Sequence, residues 1–410
     1  MNIDILFLSQ LLPKEKETEI KRKIKYGMPD AANALQWNII DGLEANDCGK
    51  MKILNYLPVG SYPNSYTDKK IENFVFQHTQ KYRADDLNLG CSNLTVIKQL
   101  VNPPLFKREI KKWAKQDNGT KKILIIYTAK PMFLTLAKYA KKCNINIDTC
   151  CIIADIPEFC TASSLHGIRK IYNDYGAVKC ASLYKYIDKF VLLTKQMAHR
   201  LAINAPFIVM EGIATKPDTK SDISLYDKFR NEKYILYSGS LNHKFGIGVL
   251  IEAFSLIQNQ EIKLLLCGFG DAEELIKEKQ NSDNGIVFLG KIDRKQVVPL
   301  QRGATVLVNP RQNIEEYTKY SFPSKNLEYL SSGVPVVAYK LDGIPDEYDK
   351  YLNYPADNSP ETLAIVLTSI CNMTDSQRIK MGQAAQSFVL KNKNNVAQTK
   401  RILEFIKSMP

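Results

Sequence analysis

The sequence predicts an α/β protein with two doubly wound parallel-sheet domains that face a cleft. Apolar runs alternate with amphipathic runs through the first half of the chain, a polar segment interrupts them at 211–232, and the alternation then restarts at Tyr234. Alternation of this kind is typical of a parallel sheet with helices on both faces. A chain of 410 residues is also too long for one ordinary core.

In the first half, short apolar runs predict strands and longer amphipathic runs predict helices. The strands are Ile3–Ser9, Met51–Leu57, Asn73–Gln77, Lys122–Tyr127, Thr149–Ala154, Lys189–Leu193 and Phe207–Met210. The helices are Ala31–Ala45, Ser92–Leu100, Phe106–Lys115, Pro131–Lys142, Ser182–Tyr186 and Lys195–Ile203.

The second half repeats this order after the polar segment, which has the composition of an interdomain connector. Its strands are Tyr234–Tyr237, Lys263–Cys267, Gly285–Leu289, Ala304–Pro310 and Val334–Tyr339, and its helices are Gly246–Gln258, Asp271–Lys279, Val297–Gln301, one between Phe322 and Gly333, and the segment Asp375–Ser408. We therefore predict a first domain over residues 1–212 and a second over 213–392. A last helix, at about 393–410, is expected to pack back on the first domain.

Composition excludes several classes of protein. No apolar run approaches the roughly 20 residues needed to cross a bilayer, and the N-terminus is expected to be a first strand rather than a signal peptide. Nine cysteines without CxxC spacing indicate reduced, mostly buried thiols in a cytosol, and four scattered histidines show no metal-ligand spacing. The net charge of +13 favours phosphorylated ligands or an anionic membrane over nucleic acid, because no nucleic-acid motif is present.

Candidate ligand-binding groups follow the predicted strands of the second half, where ligands bind in open α/β sheets. In Ser238–Gly246, Gly239 and Ser240 let the backbone approach a phosphate and Lys244 offers a cation, although a tight turn with a solvated lysine is an equal alternative. The run Cys267–Asp271 is a weaker glycine turn. The backbone after Gly290 faces either a base or solvent.

The strongest pattern is the run Tyr320–Val337, which places polar groups at the first turn of a helix between two buried strands. Ser324 and Glu328 lie four residues apart and share a helix face. A helix N-terminus suits a diphosphate, and a carboxylate one turn later can accept two hydrogen bonds from a ribose diol. The pattern thus predicts a site for a nucleoside diphosphate.

The first half offers two further candidates. Asp155 follows the strand Thr149–Ala154, so its carboxylate is expected to face the cleft unless it caps the next helix. The loop Gly27–Asn33 follows the first strand, and its Asp30 is either a cleft residue or a simple N-cap.

These segments resemble retaining glycosyltransferases of family 4, which have the GT-B fold of two Rossmann-like domains. The resemblance covers nearly the whole chain and is strongest over 234–347, with YSGSLNHKFG at 237–246 and FPSKNLEYLSSGVPVV at 322–337. It implies that Ser240, Lys244, Ser324 and Lys325 contact the donor diphosphate and that Glu328 holds the ribose. It also implies that the Lys291–Ile292 backbone contacts the base and that Asp155 lies near the transferred sugar.

Two positions depart from the family pattern. The family has two glutamates in this region; Glu328 matches the second, but Tyr320 stands at the first, and Glu315 or Glu316 are the nearest acidic substitutes. The family often has paired glycines in the first-domain loop, where this chain has Gly27, Met28, Pro29 and Asp30.

The implied reaction moves a sugar from a UDP- or GDP-type donor to an acceptor hydroxyl with retention, with Lys244 and Asp155 in the catalytic roles. The first domain is expected to bind the acceptor and the second the nucleotide sugar. No cofactor or metal is expected, because fixed cations neutralise the leaving diphosphate. The setting predicted by analogy is bacterial surface polysaccharide assembly, on a lipid-linked saccharide at the cytoplasmic membrane face.

One helix bears on that membrane location. Phe106, Ile110 and Trp113 share a face of a lysine-rich helix, which suits either anionic lipid or packing on the sheet, the second being favoured.

Two other functions stay open. A GT-B epimerase would need acid–base side chains around the sugar, and a non-catalytic nucleotide-sugar or polyanion-binding subunit would fit the missing first glutamate.

Overall fold

The computed structural model of the chain describes residues 3–27, 30–95, 98, 103–116, 119–156, 168–217 and 221–408. The chain divides into two compact units. Unit 1 comprises Met1–Glu211 with Asn395–Pro410, and unit 2 comprises Gly212–Asn394.

Unit 1 is built on an eight-stranded sheet in the order β10-β9-β8-β7-β1-β2-β5-β4. All neighbouring strands are parallel except β4 and β5. The strands are β1 (Ile3–Ser9), β2 (Lys50–Asn55), β4 (Phe74–Phe76), β5 (Asp86–Asn88), β7 (Lys121–Tyr127), β8 (Asp148–Ile153), β9 (Lys189–Leu192) and β10 (Phe207–Val209), with β3 (Lys70–Ile71) and β6 (Cys91–Ser92) forming a separate antiparallel pair.

The helices of unit 1 are α1 (Glu17–Lys23), α2 (Asp30–Ala45), α3 (Pro103–Lys115), α4 (Pro131–Cys143), α5 (Ile168–Leu183), α6 (Lys195–Arg200) and α13 (Asn395–Lys407). The last of these packs on α2. Gly42 allows the close approach, because a Cβ there would lie 2.5 Å from the carbonyl oxygen of Asn395. Of the helix predicted at 92–100, residues 96, 97, 99 and 100 lie outside the described residues, and Ser92 itself belongs to β6.

Unit 2 has a six-stranded parallel sheet in the order β13-β12-β11-β14-β15-β16. Its strands are β11 (Lys233–Ser240), β12 (Ile262–Phe269), β13 (Ile286–Gly290), β14 (Val306–Asn309), β15 (Val336–Ala338) and β16 (Leu352–Asn353). Its helices are α7 (Ile247–Ser255), α8 (Glu273–Ser282), α9 (Arg294–Gly303), α10 (Ser324–Leu330), α11 (Pro360–Cys371) and α12 (Asp375–Asn392). The predicted fold class, α/β with parallel sheets, is confirmed.

The direction of chain progression across the second sheet reverses between β11 and β14. From β11 the chain moves outward through β12 and β13, then returns to add β14 on the other side of β11. Ligands of open α/β sheets bind at the carboxyl ends of the strands beside such a reversal. The ends of β11 and β14 are therefore the places in unit 2 to look for a site.

The apolar face of helix α3 is buried. Phe106, Ile110 and Trp113 are 1%, 0% and 5% exposed, and the Trp113 indole N–H donates to Asp4 Oδ1 at 3.0 Å. The preferred interpretation, packing against the protein interior, is confirmed, and this face is closed to lipid. No described helix is both long and apolar enough to cross a membrane.

A buried cluster of charged groups joins α2 to the β4–β5 edge of unit 1. The His78 ring contacts Asp86 Oδ2 through Nδ1 at 2.7 Å and Glu44 Oε1 through Nε2 at 3.2 Å, and Tyr82 donates to Glu44 Oε1 at 2.8 Å. The side chains of His78 and Asp86 are fully buried. Burial alone lowers the pKa of His78, but the two carboxylates raise it above the usual value for histidine.

Candidate functional site

The carboxyl edge of the unit 2 sheet carries most of the predicted site residues. Gly239 and Ser240 end β11, Lys244 lies in the short 3-10 turn His243–Phe245, and Lys291 and Ile292 follow β13. Ser324, Lys325 and Glu328 belong to α10, after β14. Asp155 lies in unit 1, two residues beyond the end of β8, and is exposed.

Glu328 is the centre of a hydrogen-bonded network. Its Oε2 pairs with Lys325 Nζ at 2.9 Å, and its Oε1 accepts from Gln301 Nε2 at 2.8 Å. Burial favours the neutral acid, but the Lys325 ammonium and the Gln301 amide hold the pKa of Glu328 below its ordinary value. The side chains of Lys325 and Glu328 remain 31% and 30% exposed. The carboxylate is thus charged and oriented, on a side chain that is partly exposed.

The network continues into the end of β11. The same Gln301 amide nitrogen lies 2.9 Å from Ser238 Oγ, and the buried Tyr329 hydroxyl accepts from the Ser238 N–H at 2.9 Å. These contacts tie α9 and α10 to the strand that leads into the glycine turn. Since Gln301 is 3% exposed, it orients Glu328 from inside the protein.

Lys325 extends over the glycine turn. A Cβ on Gly239 would lie 3.1 Å from Lys325 Cε, so a larger residue at 239 would press on this side chain. The Tyr237 hydroxyl donates to the Ser240 carbonyl at 2.8 Å and so holds the turn in place. The structure therefore brings Gly239, Lys325 and Glu328 together, as their positions after parallel strands suggested.

Lys244 stands on a rigid loop. The His243 N–H donates to Asp271 Oδ1 at 2.8 Å, and Gly246 has φ +82° with its Cα packed so closely that a Cβ would lie 2.0 Å from the Pro310 carbonyl oxygen. Lys244 is exposed, and its ammonium lies 5.4 Å from the centre of the Phe245 ring. Within the described ranges no carboxylate forms a salt bridge with it, so its charge is available to an anion.

Sequence reasoning missed Arg311, which follows β14 at the reversal point. Its guanidinium lies 4.6 Å from the Tyr317 ring centre and 5.5 Å from that of Phe245, and Nη2 donates to Ser321 Oγ at 3.1 Å. It links the Lys244 loop to the segment before α10. Its position directly after a buried strand was the signal that would have found it.

The two remaining features of the predicted site are the start of α10 and the acidic residues before it. Helix α10 has seven residues and begins at Ser324, so the predicted helix start beside Lys325 is present. Glu315 and Glu316 are exposed at the start of the 3-10 turn Glu316–Tyr320. Their role as acidic substitutes for the glutamate absent at Tyr320 stays a hypothesis. In the first-domain loop, Met28 and Pro29 lie outside the described residues.

Comparison with known proteins agrees with this architecture. Residues 232–372 match the family model described as Glycosyl transferases group 1. HepE of Anabaena, solved in complex with UDP, superposes with a TM-score of 0.62 at 15% identity, covering 100% of both chains. A sucrose-phosphate synthase from Thermosynechococcus elongatus gives 0.62 at 13% identity, covering 99% of this chain and 98% of the other.

A third similar structure is the lipopolysaccharide outer core galactosyltransferase WaaB, with a TM-score of 0.61 at 14% identity over 98% of this chain and 99% of WaaB. No curated protein matches the sequence. The structural neighbours establish the GT-B fold, and the family match lies on the unit that holds the Glu328 network. Together they support a glycosyltransferase of the GT-B type.

Proposed function

We propose that this protein transfers a glycosyl unit from a nucleotide-diphosphate sugar to an acceptor hydroxyl, with retention of the anomeric configuration. The observation that carries the proposal is the half-open Glu328–Lys325 pair, held by Gln301 at the carboxyl edge of a parallel sheet. A carboxylate has about four acceptor positions, and the two protein contacts leave room for the two hydroxyls of a ribose.

The cations around this pair suit the leaving diphosphate. As the bond from sugar to phosphate breaks, negative charge builds on the diphosphate, and Lys244 and Lys325 stabilise it more in the transition state than in the ground state. Ser240 and Ser324, both exposed at the same edge, add hydrogen-bond donors. In this proposal Lys291 and Ile292 contact the base, no metal is needed, and a donor phosphate oxygen takes the proton of the acceptor.

Asp155 completes the proposal from unit 1, where its exposed carboxylate follows β8 and would orient the transferred sugar or the acceptor hydroxyl. The acceptor we propose is a lipid-linked saccharide of bacterial surface polysaccharide assembly, with the protein at the inner face of the plasma membrane. The net charge of +13 supports it, as does the similarity to WaaB, a lipopolysaccharide galactosyltransferase. Because the apolar face of α3 is buried, membrane contact would rest on lysine and arginine side chains.

The first test is a thermal-shift panel of UDP, GDP, ADP and their sugar conjugates, with UDP compounds first because HepE was solved with UDP. A ligand that binds only the folded protein raises its melting midpoint. We expect one nucleotide class to stabilise the wild type but not Glu328→Ala. Glu278→Ala, an exposed change in α8, is the matched control and should respond as the wild type does.

Turnover then separates the alternatives. A transferase releases nucleoside diphosphate when an acceptor is present, an epimerase interconverts the donor sugar, and a binding subunit does neither. Lys244→Ala should lower kcat more than it weakens donor binding, and equal effects on both would contradict its catalytic role. A product with inverted anomeric configuration by NMR would refute retention.

A further inference from the structure

We propose that the exposed ring of Phe269, with Lys291 beside it, is the platform on which the nucleobase of the donor stacks. The inference rests on the proposed function and adds a residue that determines how the base is held. Phe269 is the last residue of β12 and is 59% exposed, although it lies on the edge of the sheet where ligands bind. A large aromatic ring left open at such an edge suits a flat, apolar ligand surface.

The backbone that carries this ring is closely packed on both sides of Phe269. Gly268 has φ +142° and packs so closely on β11 that a Cβ would lie 1.7 Å from the Gly239 carbonyl oxygen. On the C-terminal side of Gly268, the Leu241 N–H donates to the Phe269 carbonyl at 2.9 Å, and Gly270 packs on the Leu241 carbonyl. A backbone so constrained needs little ordering when a ligand arrives, which favours binding.

The side chain of Lys291 lies next to the Phe269 ring. Its ammonium lies over the Phe269 ring, 5.3 Å from the ring centre, and Phe269 is still 59% exposed. The two residues are neighbours because Cys267 of β12 pairs with Gly290 of β13. At Gly290 itself a Cβ would meet no atom within 4 Å, so there is space beside the backbone for the edge of a base.

The platform is continuous with the Glu328 network. Gly268 contacts Gly239, Gly239 lies under Lys325, and Lys325 pairs with Glu328. A ribose held by Glu328 would therefore direct its base along the strand ends toward β12 and β13, where Phe269 and Lys291 lie. Stacking on an aromatic ring tolerates every base, so Phe269 would supply affinity while the neighbouring backbone selects among bases.

The test compares ligands with and without a base by isothermal titration calorimetry. The probes are UDP, GDP and ADP, and inorganic pyrophosphate is the probe that lacks a base. For the nucleoside diphosphate that binds the wild type, Phe269→Ala should weaken binding about tenfold or more, while Phe269→Trp should keep it within about threefold. Pyrophosphate should bind all three proteins equally. Ile365→Ala, which removes another exposed apolar side chain of unit 2, should leave all affinities unchanged.

Two results would overturn the platform and leave the proposed function standing: equal nucleoside diphosphate binding by Phe269→Ala and wild type, or a parallel loss of pyrophosphate binding. The second would mean that the residue acts on the phosphate site rather than on the base. Failure of the wild type to bind any of the three nucleoside diphosphates would overturn the platform and the proposed function together.

Discussion

The two units place similar polar groups in opposite settings. In unit 1, the fully buried His78 and Asp86 form a cluster with Glu44, whose side chain is 11% exposed. In unit 2, Glu328 and Lys325 form a pair that is about 30% exposed and rests on the buried Gln301. A sealed cluster satisfies its own members and contributes to stability, whereas a pair with open acceptor positions is available to a ligand. The difference is one of access: the cluster lies inside unit 1 at its antiparallel β4–β5 edge, and the pair lies at the carboxyl edge of the parallel sheet of unit 2.

The largest expected effect comes from breaking the sealed cluster. Asp86→Asn removes a charge that accepts from the Ile53 N–H at 2.8 Å and from the His78 N–H and ring at 2.7 Å. Loss of one partner from a buried ion pair costs about 3–5 kcal/mol of unfolding free energy. Urea unfolding followed by tryptophan fluorescence measures it in unit 1 alone, since both tryptophans, Trp37 and Trp113, lie there.

The neighbouring Asp85→Asn is the control for this change. Asp85 is exposed, pairs with Arg83 at the surface and has φ +51°, a conformation that asparagine also adopts. It should change the unfolding free energy by less than about 1 kcal/mol. Equal losses of unfolding free energy in Asp86→Asn and Asp85→Asn would mean that burial does not make the cluster important for stability.

The next largest effect is expected in unit 2, in the hydrogen-bonded network around Glu328. Gln301→Leu leaves Glu328 and Ser238 without their amide donor in a buried place, which we expect to cost about 1–3 kcal/mol. Far-UV circular dichroism should show the loss, while the tryptophan signal of unit 1 keeps its midpoint. The pKa of Glu328 should rise, because one of the contacts that lower it is gone.

A second glutamine on α9 provides the matched variant. Gln296 also donates to a carboxylate, that of Asp222 at 3.0 Å, but at the surface. Gln296→Leu should change stability by about 0.5 kcal/mol or less. Equal destabilisation by Gln296→Leu and Gln301→Leu would mean that the buried Gln301 contacts contribute no more to stability than a surface contact does.

The smallest effect is a pH dependence of unit 1. Because the folded pKa of His78 is raised, the protonated ring contributes its full stability below the unfolded pKa, about 6.5, and loses it as the pH rises through the folded pKa. One proton gives a slope of at most about 1.4 kcal/mol per pH unit. Tryptophan-monitored unfolding from pH 6 to 9 should show the decline, and His78→Gln should abolish it. A wild-type stability that increased over this range would contradict the assignment.

Sequence reasoning was most successful where the strand order decides position. Residues that follow parallel strands meet at one edge, so Gly239 and Lys325 were expected near each other, and they are. The predicted roles of Ser240, Lys244, Ser324, Glu328 and Asp155 stay predictions until ligands are bound.

Contacts that depend on side-chain reach were not predictable. Gln301 reaches Glu328 from another helix, and Arg311 reaches Phe245 and Tyr317 from a loop, with no fixed spacing to reveal either contact. His78 was one of four scattered histidines, yet its partners lie 8 and 34 residues away along the chain. Short strands such as β3, β6 and β16, of two residues each, carry too few positions for a recognisable period.

The return of α13 to unit 1 has a consequence for synthesis on the ribosome. Residues through Glu211 emerge early, but the helix that packs over Gly42 and α2 is translated only after the whole of unit 2. Until then the nascent first unit carries an uncovered patch that Ile402, Leu403 and Ile406 later bury. The patch therefore stays uncovered for as long as unit 2 takes to be synthesised, and apolar surface exposed at that stage favours aggregation.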